Sequence, residues 1–186
     1  MIPRLVLLTD RSQLQLGRAL VRTVAECAEA GLEAVVVREH DLAPGHRSAL
    51  VRVLAELPGL RVISSRVADP AADGVHLAAG QEVLGGPFGR SCHSVAQVRT
   101  AAAEGAQWAT LSPYAGTASK PGYGPALGPE AFAGPWPIPV LALGGIGPDE
   151  AARAREAGAH GVAVMGAVMR ADDPAGVVAR LLRAVA

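Results

Sequence analysis

The sequence contains no asparagine and a single lysine, Lys120, so any chemistry that needs an amine side chain rests on that one residue. Cysteine is nearly as scarce. Cys27 and Cys92 are too few for a disulfide framework and form no C-x-x-C pair, so they read as reduced, buried thiols of a cytosolic protein. Aromatic residues are only 3%, and 17 basic residues balance 17 acidic ones. With no net field for a polyanion and few rings for base stacking, a nucleic-acid partner is excluded. Long apolar runs are absent as well: Met1–Leu8 gives way at once to Thr9-Asp10-Arg11, too short for a signal peptide or a membrane span. The expectation is a cytoplasmic protein with no membrane partner. What the chain does have is 50% hydrophobic and 18% charged residues over 186 positions, which rules out disorder. No linker or composition break divides it, and residues 1–186 read as one domain.

Short runs rich in Val, Leu and Ile alternate with alanine-rich stretches of helical spacing, the pattern of a parallel sheet wrapped by helices. The spacing predicts strands at Leu5–Leu8, Ala34–Val37, Arg61–Ile63, Gly74–Leu77, Phe88–Ser91, Trp108–Leu111, Val140–Leu143 and Gly161–Val164. Between the first two, Gln15–Ala30 reads as a helix with Leu16, Ala19, Leu20, Val24, Cys27 and Ala28 on one face, stopped by Gly31. Pro148-Asp149-Glu150 and Asp173-Pro174 open later helices, so these acids need no catalytic role. Eight β-α steps predict an α/β fold, a closed (β/α)8 TIM barrel, in a short variant with trimmed connections around strands three to five.

In such a barrel the site lies beyond the strand C-termini. Polar residues collect there: Thr9-Asp10, Arg38-Glu39-His40, Ser64-Ser65-Arg66, Ser91-Cys92-His93, Ser112 and Gly144-Gly145. Gly144-Gly145-Ile146-Gly147 and Met165-Gly166-Ala167 occupy the place of a barrel phosphate site, where glycines let backbone N–H groups approach an anion, although tight turns alone would also use them. A bulky residue at Gly145 is expected to block that site and spare the fold. Thr117–Pro125 combines hydroxyls, Lys120 and glycines, suited to closing over an anion. His93 is the histidine best placed at the rim for proton transfer, and His40 shares a strand face with Arg38. His76 reads as barrel filling, and His46 and His160 as solvent-facing. Cys92 and His93 are neighbours on a strand and point apart, which argues against a Cys–His pair.

The ordered set Leu8-Thr9-Asp10-Arg11, Val37-Arg38-Glu39-His40-Asp41-Leu42, Asp73-Gly74-Val75-His76-Leu77, Thr117-Ala118-Ser119-Lys120, Leu143-Gly144-Gly145-Ile146 and Gly161–Met165 resembles the thiamine phosphate synthase and thiazole tautomerase superfamily. The resemblance implies a (β/α)8 barrel that binds a thiazole phosphate. Its synthase branch uses magnesium and carries Q-x-R-x-K after strand two, where this chain has Val36, Arg38 and His40. After strand three that branch carries N-D-R, with the aspartate on the metal, against Ser64-Ser65-Arg66 here. The second expected aspartate is missing from Ala78–Leu84, where Glu82 would serve only with a shifted backbone. The tautomerase branch needs no metal. Ser64-Ser65-Arg66-Val67 resembles its N-G-R-V, and Gly89–Ser94 its G-R-S-V-H-S, whose histidine is the acid/base.

The resemblance therefore implies, first, a cofactor-free isomerase that aromatises a carboxythiazole phosphate, with His93 as the catalytic proton shuttle. Gly144, Gly145, Met165 and Gly166 would hold the phosphate, and Arg38 the carboxylate or ring edge. His40, Ser91, Thr117 and Lys120 complete the expected substrate contacts. The alternative is thiamine phosphate synthase, with magnesium required only in that case, and a non-catalytic thiazole phosphate binder is the third reading. A small-molecule partner is expected in every case, and a homo-oligomer is compatible with the sequence.

Overall fold

Four-residue runs such as Leu5-Val6-Leu7-Leu8 and Ala34-Val35-Val36-Val37 are buried along their whole length, as strands covered on both faces must be. The computed structural model of the chain describes residues 1–15, 17–116 and 125–186. Its strands are β1 (Leu5–Leu8), β2 (Ala34–Val37), β3 (Arg61–Ser65), β4 (Gly74–Leu77), β5 (Phe88–Cys92), β6 (Trp108–Leu111), β7 (Val140–Leu143) and β8 (Gly161–Val164). Each pairs in parallel with its sequence neighbour, and β1 pairs with β8, so the sheet closes. The chain thus forms the eight-stranded parallel barrel that its periodicity predicts. β3 and β5 run one or two residues past their sequence-predicted ends.

Six helices cover the barrel in the described residues: α1 (Leu20–Glu29), α2 (Pro44–Ala55), α3 (Val95–Ala103), α4 (Pro148–Glu156), α5 (Gly166–Met169) and α6 (Pro174–Val185). Proline at the first turn of α2, α4 and α6 starts each where an N–H has no partner to lose, and Asp173 caps α6 by accepting from Gly176 N at 2.8 Å. The first helix begins later than Gln15. Gly17 takes φ +85°, which no helix tolerates, and Asp10 instead caps a short 3-10 turn at Arg11–Gln13. Leu16 lies outside the described residues. No helix separates β3 from β4 or β4 from β5, which is how the barrel fits into so short a chain. Among the described residues no helix is long and apolar enough to cross a membrane.

Strand alternation divides the apolar residues into two sets. Leu7, Val35, Val37, Val62, Leu77, Leu111 and Val162 point outward into one cluster with the helices, whereas Val6, Leu8, Val36, Ile63, Trp108, Leu141 and Ala163 fill the barrel interior. Trp108 is the largest of these and needs a glycine opposite. A Cβ on Gly89, its register partner on β5, would lie 2.1 Å from the indole. Cys27 and Cys92 are buried and unpaired with each other; burial pushes their thiols up to about 12 and about 11, so neither is a nucleophile at neutral pH.

Candidate active site

Continuing each inward phase by two or four residues past the apolar layer leads to the barrel mouth. Val36 leads to Arg38 and His40, Ile63 to Ser65, Gly89 to Ser91 and His93, Trp108 to Ser112, Leu141 to Gly145, and Ala163 to Met165. All of these mouth residues line one cavity of about 540 Å³, together with Arg66, His76, Gly144, Gly166 and Arg170. The structure thus brings together Arg38, His40, Ser91, His93, Gly144, Gly145, Met165 and Gly166 from the sequence-predicted set. Thr117 and Lys120 lie outside the described residues.

His76 lines the cavity and stacks on Trp108 of the interior layer, with ring centroids 4.7 Å apart and 16° between planes. Thr110 Oγ1 stands 3.3 Å from His76 Nε2. Burial drives the His76 pKa down to about 4 from 6.5, so the ring is neutral and serves as packing. Because the unfolded chain binds that proton more readily, the stability it provides is complete above pH 6.5 and is lost as pH falls through about 4. The loss amounts to about 3 kcal/mol. Urea unfolding at pH 7 and pH 4.5 should show a steeper drop for the wild type than for His76→Phe; parallel drops would contradict this.

At the β2 side, the Arg38 guanidinium extends across the mouth to the Met165 sulfur, and the Arg38 backbone N–H donates to Thr9 Oγ1 at 3.0 Å. His40 Nε2 lies 3.3 Å from Ser65 Oγ. Burial, and then the charges of Arg66, Arg47 and Arg38, hold the His40 pKa below the ordinary histidine value against the pull of Asp41. Arg47 reaches up from α2 and is buried without a carboxylate. It donates to Ser64 Oγ (3.0 Å), Val37 O (2.8 Å) and Ser65 O (3.0 Å), tying the ends of β2 and β3 together.

At the β5 and β6 side, His93 Nδ1 lies 3.1 Å from Ser112 Oγ and 3.2 Å from Ser112 O. Its backbone N–H donates to Gln97 Oε1 at 2.6 Å, which fixes the main chain while Ser112 holds the ring at Nδ1. Cys92 faces the helix layer, and no Cys–His pair forms. On the β7 side, Gly144 and Gly145 turn at φ +101° and +67°. Tyr114 N donates to Leu143 O (2.8 Å) and Ala115 N to Gly144 O (3.0 Å), which stitches the β6 loop to this turn. The Gly145 N–H has no hydrogen-bond partner among the described residues. A Cβ on Gly145 would point at Gly116 O, 2.5 Å away, and not into the cavity, so a bulky residue there cannot spare the fold as the sequence reading expected. On the β8 side, the Arg170 guanidinium packs over Gly166 and donates to Gln13 Oε1.

Of the cationic residues of this lining, Arg66 is placed at the rim by the sequence but given no contact there, and Arg170 is absent from the sequence-predicted residues. Arg170 carries a readable signal, since it stands four residues after Gly166 and one helical turn returns it to the same place. His160 departs from its expected exposure: it is half-buried, with Nε2 2.9 Å from Ile2 O at the opposite end of the barrel.

Magnesium binds six oxygens and normally takes one or two carboxylates. None of the cavity-lining residues is an acid. Asp10 accepts from Ser12 and Gln13, while Glu39 and Asp41 both accept from Arg11. Ser65 occupies the position where the resemblance places a ligand aspartate, and it contacts His40 instead. This donor set does not fit the ion.

The closed ring with its polar mouth beyond the strand C-termini defines a (β/α)8 barrel whose candidate site lies where barrel enzymes carry theirs. The chain belongs to the thiamine monophosphate synthase family, whose sequence pattern it matches over residues 5–168. A Geobacter sulfurreducens protein provisionally named a thiamine-phosphate synthase is 36% identical, with 91% of this chain and 88% of that protein covered. A thiamine-phosphate synthase of Synechococcus sp. (strain WH7803) is 34% identical over 96% of this chain, which spans only 56% of that longer protein. The thiamine phosphate pyrophosphorylase structure from Pyrococcus furiosus superposes with a TM-score of 0.84, at 24% identity, covering 98% of this chain and 95% of that one. These relatives carry synthase names and nothing in them points to the tautomerase branch, which overturns the isomerase expectation. The missing metal carboxylates therefore do not mark the tautomerase branch, and the cationic mouth stands without them.

Proposed function

We propose that the protein is a transferase of thiamine biosynthesis that joins hydroxymethylpyrimidine diphosphate to thiazole phosphate. The observation that carries this reading, beside family membership, is a single mouth with anion-suited groups on two sides. The Gly144–Gly145 turn, Gly166 and Arg170 suit a terminal phosphate, and Arg38, His40 and Arg66 suit a diphosphate. In the reaction the bond between the pyrimidine methylene carbon and the diphosphate oxygen breaks, and the electron pair leaves with the diphosphate. The thiazole nitrogen supplies the pair for the new C–N bond. Cations placed where the leaving charge develops lower the barrier without moving during the step.

No proton has to be carried through the reacting carbon, so the shuttle role given to His93 falls with the isomerase. Its ring, oriented by Ser112, serves here as a hydrogen-bonding group beside the reacting centre. Ser91 lines the same wall. The substrates are small phosphate esters, and no macromolecular partner enters the reading. Expression in a bacterial strain that lacks its own thiamine phosphate synthase tests it: growth without thiamine is the expected result, and failure to grow with soluble protein present would contradict it.

A further inference from the structure

Arg66 is the only non-glycine residue with positive φ among the described residues, at +65°. For an L-residue this left-handed backbone costs about 1 kcal/mol or more, and such strain collects where a side chain is needed in a particular place. The conformation is enforced from several sides. Arg66 N donates to His76 O at 2.8 Å, Gln81 Nε2 donates to Arg66 O at 2.6 Å, and Val67 N donates to Ser65 O at 2.8 Å. The result is an exposed guanidinium at the cavity wall that makes no hydrogen bond or ion pair within the described residues. Arg38 and His40 line the same wall, and Arg47 adds a buried positive charge behind it. The acids beside this charge do not line the cavity: Asp69, whose carboxylate acts on Arg47, accepts from Ala71 N at 3.0 Å. Glu39 is buried against Arg11, which also holds Asp41. A chain with no net charge therefore concentrates positive charge at one edge of its barrel mouth.

We infer that Arg66, Arg38 and His40 form a metal-free clamp that binds a diphosphate group directly, in place of a magnesium-bridged one. A diphosphate that keeps its full charge is the matching ligand, because arginine forks pair with phosphate oxygens without an intervening ion. A magnesium-bound diphosphate matches less well, since the cation would stand among arginines with no carboxylate to hold it. This inference rests on the transferase reading for the identity of the substrate, but not for the binding event itself.

Calorimetric titration with inorganic diphosphate in EDTA, repeated in excess magnesium, tests it. Binding in EDTA that weakens when magnesium is added is expected. Binding seen only with magnesium, or none in either buffer, would overturn the clamp. Arg66→Gly is the informative variant because glycine relieves the positive φ, so thermal stability should equal or exceed the wild type. Its diphosphate affinity should fall by about tenfold or more, the usual weight of a charged hydrogen-bonding partner. Unchanged affinity in a folded Arg66→Gly protein would overturn the role of Arg66. The two readings fail separately: diphosphate binding in EDTA without turnover would leave the clamp and remove the transferase, and turnover that strictly requires magnesium would do the reverse.

Discussion

Gly145→Val is expected to lower the stability of the whole barrel and its affinity for thiazole phosphate together. A β-branched residue at φ +67° meets the steric penalty of the left-handed region, about 1–2 kcal/mol for an ordinary L-residue. Its Cβ would also lie 2.5 Å from Gly116 O and 2.9 Å from Ala115 Cβ, so the backbone after β6 must shift. That segment is hydrogen-bonded to Leu143 O and Gly144 O, and the shift loosens the β6 and β7 loops at once. The sum should reach about 3 kcal/mol or more, which for a chain of this size moves Tm by roughly 10 °C. Thermal unfolding with and without thiazole phosphate reads both effects. Wild-type Tm with lost binding would show that the residue acts on the ligand alone.

Arg38→Ala is expected to lower kcat/KM by about 10²-fold while leaving Tm close to wild type, the usual consequence of removing a preorganised donor from developing charge. Arg38 is half-buried, and its side chain spans from β2 to Met165 beyond β8, between the two anion-suited sides of the mouth. Its fold contribution is made mainly by the backbone N–H to Thr9, which alanine keeps. Steady-state kinetics beside a thermal melt separate the two. A loss below about threefold would place Arg38 outside the chemistry.

The barrel is legible because its strands are short, continuous apolar runs buried on both faces, and six of the eight have the predicted ends. Extending the side-chain alternation of the strands by one or two steps also predicts Arg38, His40, Ser91 and His93 at the mouth, and they line it. Arg66 was harder to select. Its motif was visible, but arginine is not a residue that signals a left-handed backbone, and only the hydrogen bonds from Gln81 and to His76 create it. The diversion of Glu39 and Asp41 onto Arg11 was likewise invisible, because alternation gives the direction of Glu39 but not its partner. Absent carboxylates can be counted along the chain, but the Arg11 pairing that moves the charge balance shows only in three dimensions.

Product formation with purified protein, hydroxymethylpyrimidine diphosphate and thiazole phosphate is the decisive measurement of transferase activity. Mass spectrometry follows thiamine phosphate, and a coupled assay follows diphosphate, in EDTA and in magnesium. Thiamine phosphate and diphosphate should appear in equal amounts, only when both substrates are present, and already in EDTA. No thiamine phosphate in either buffer, from folded protein that binds both substrates, would contradict the transferase reading.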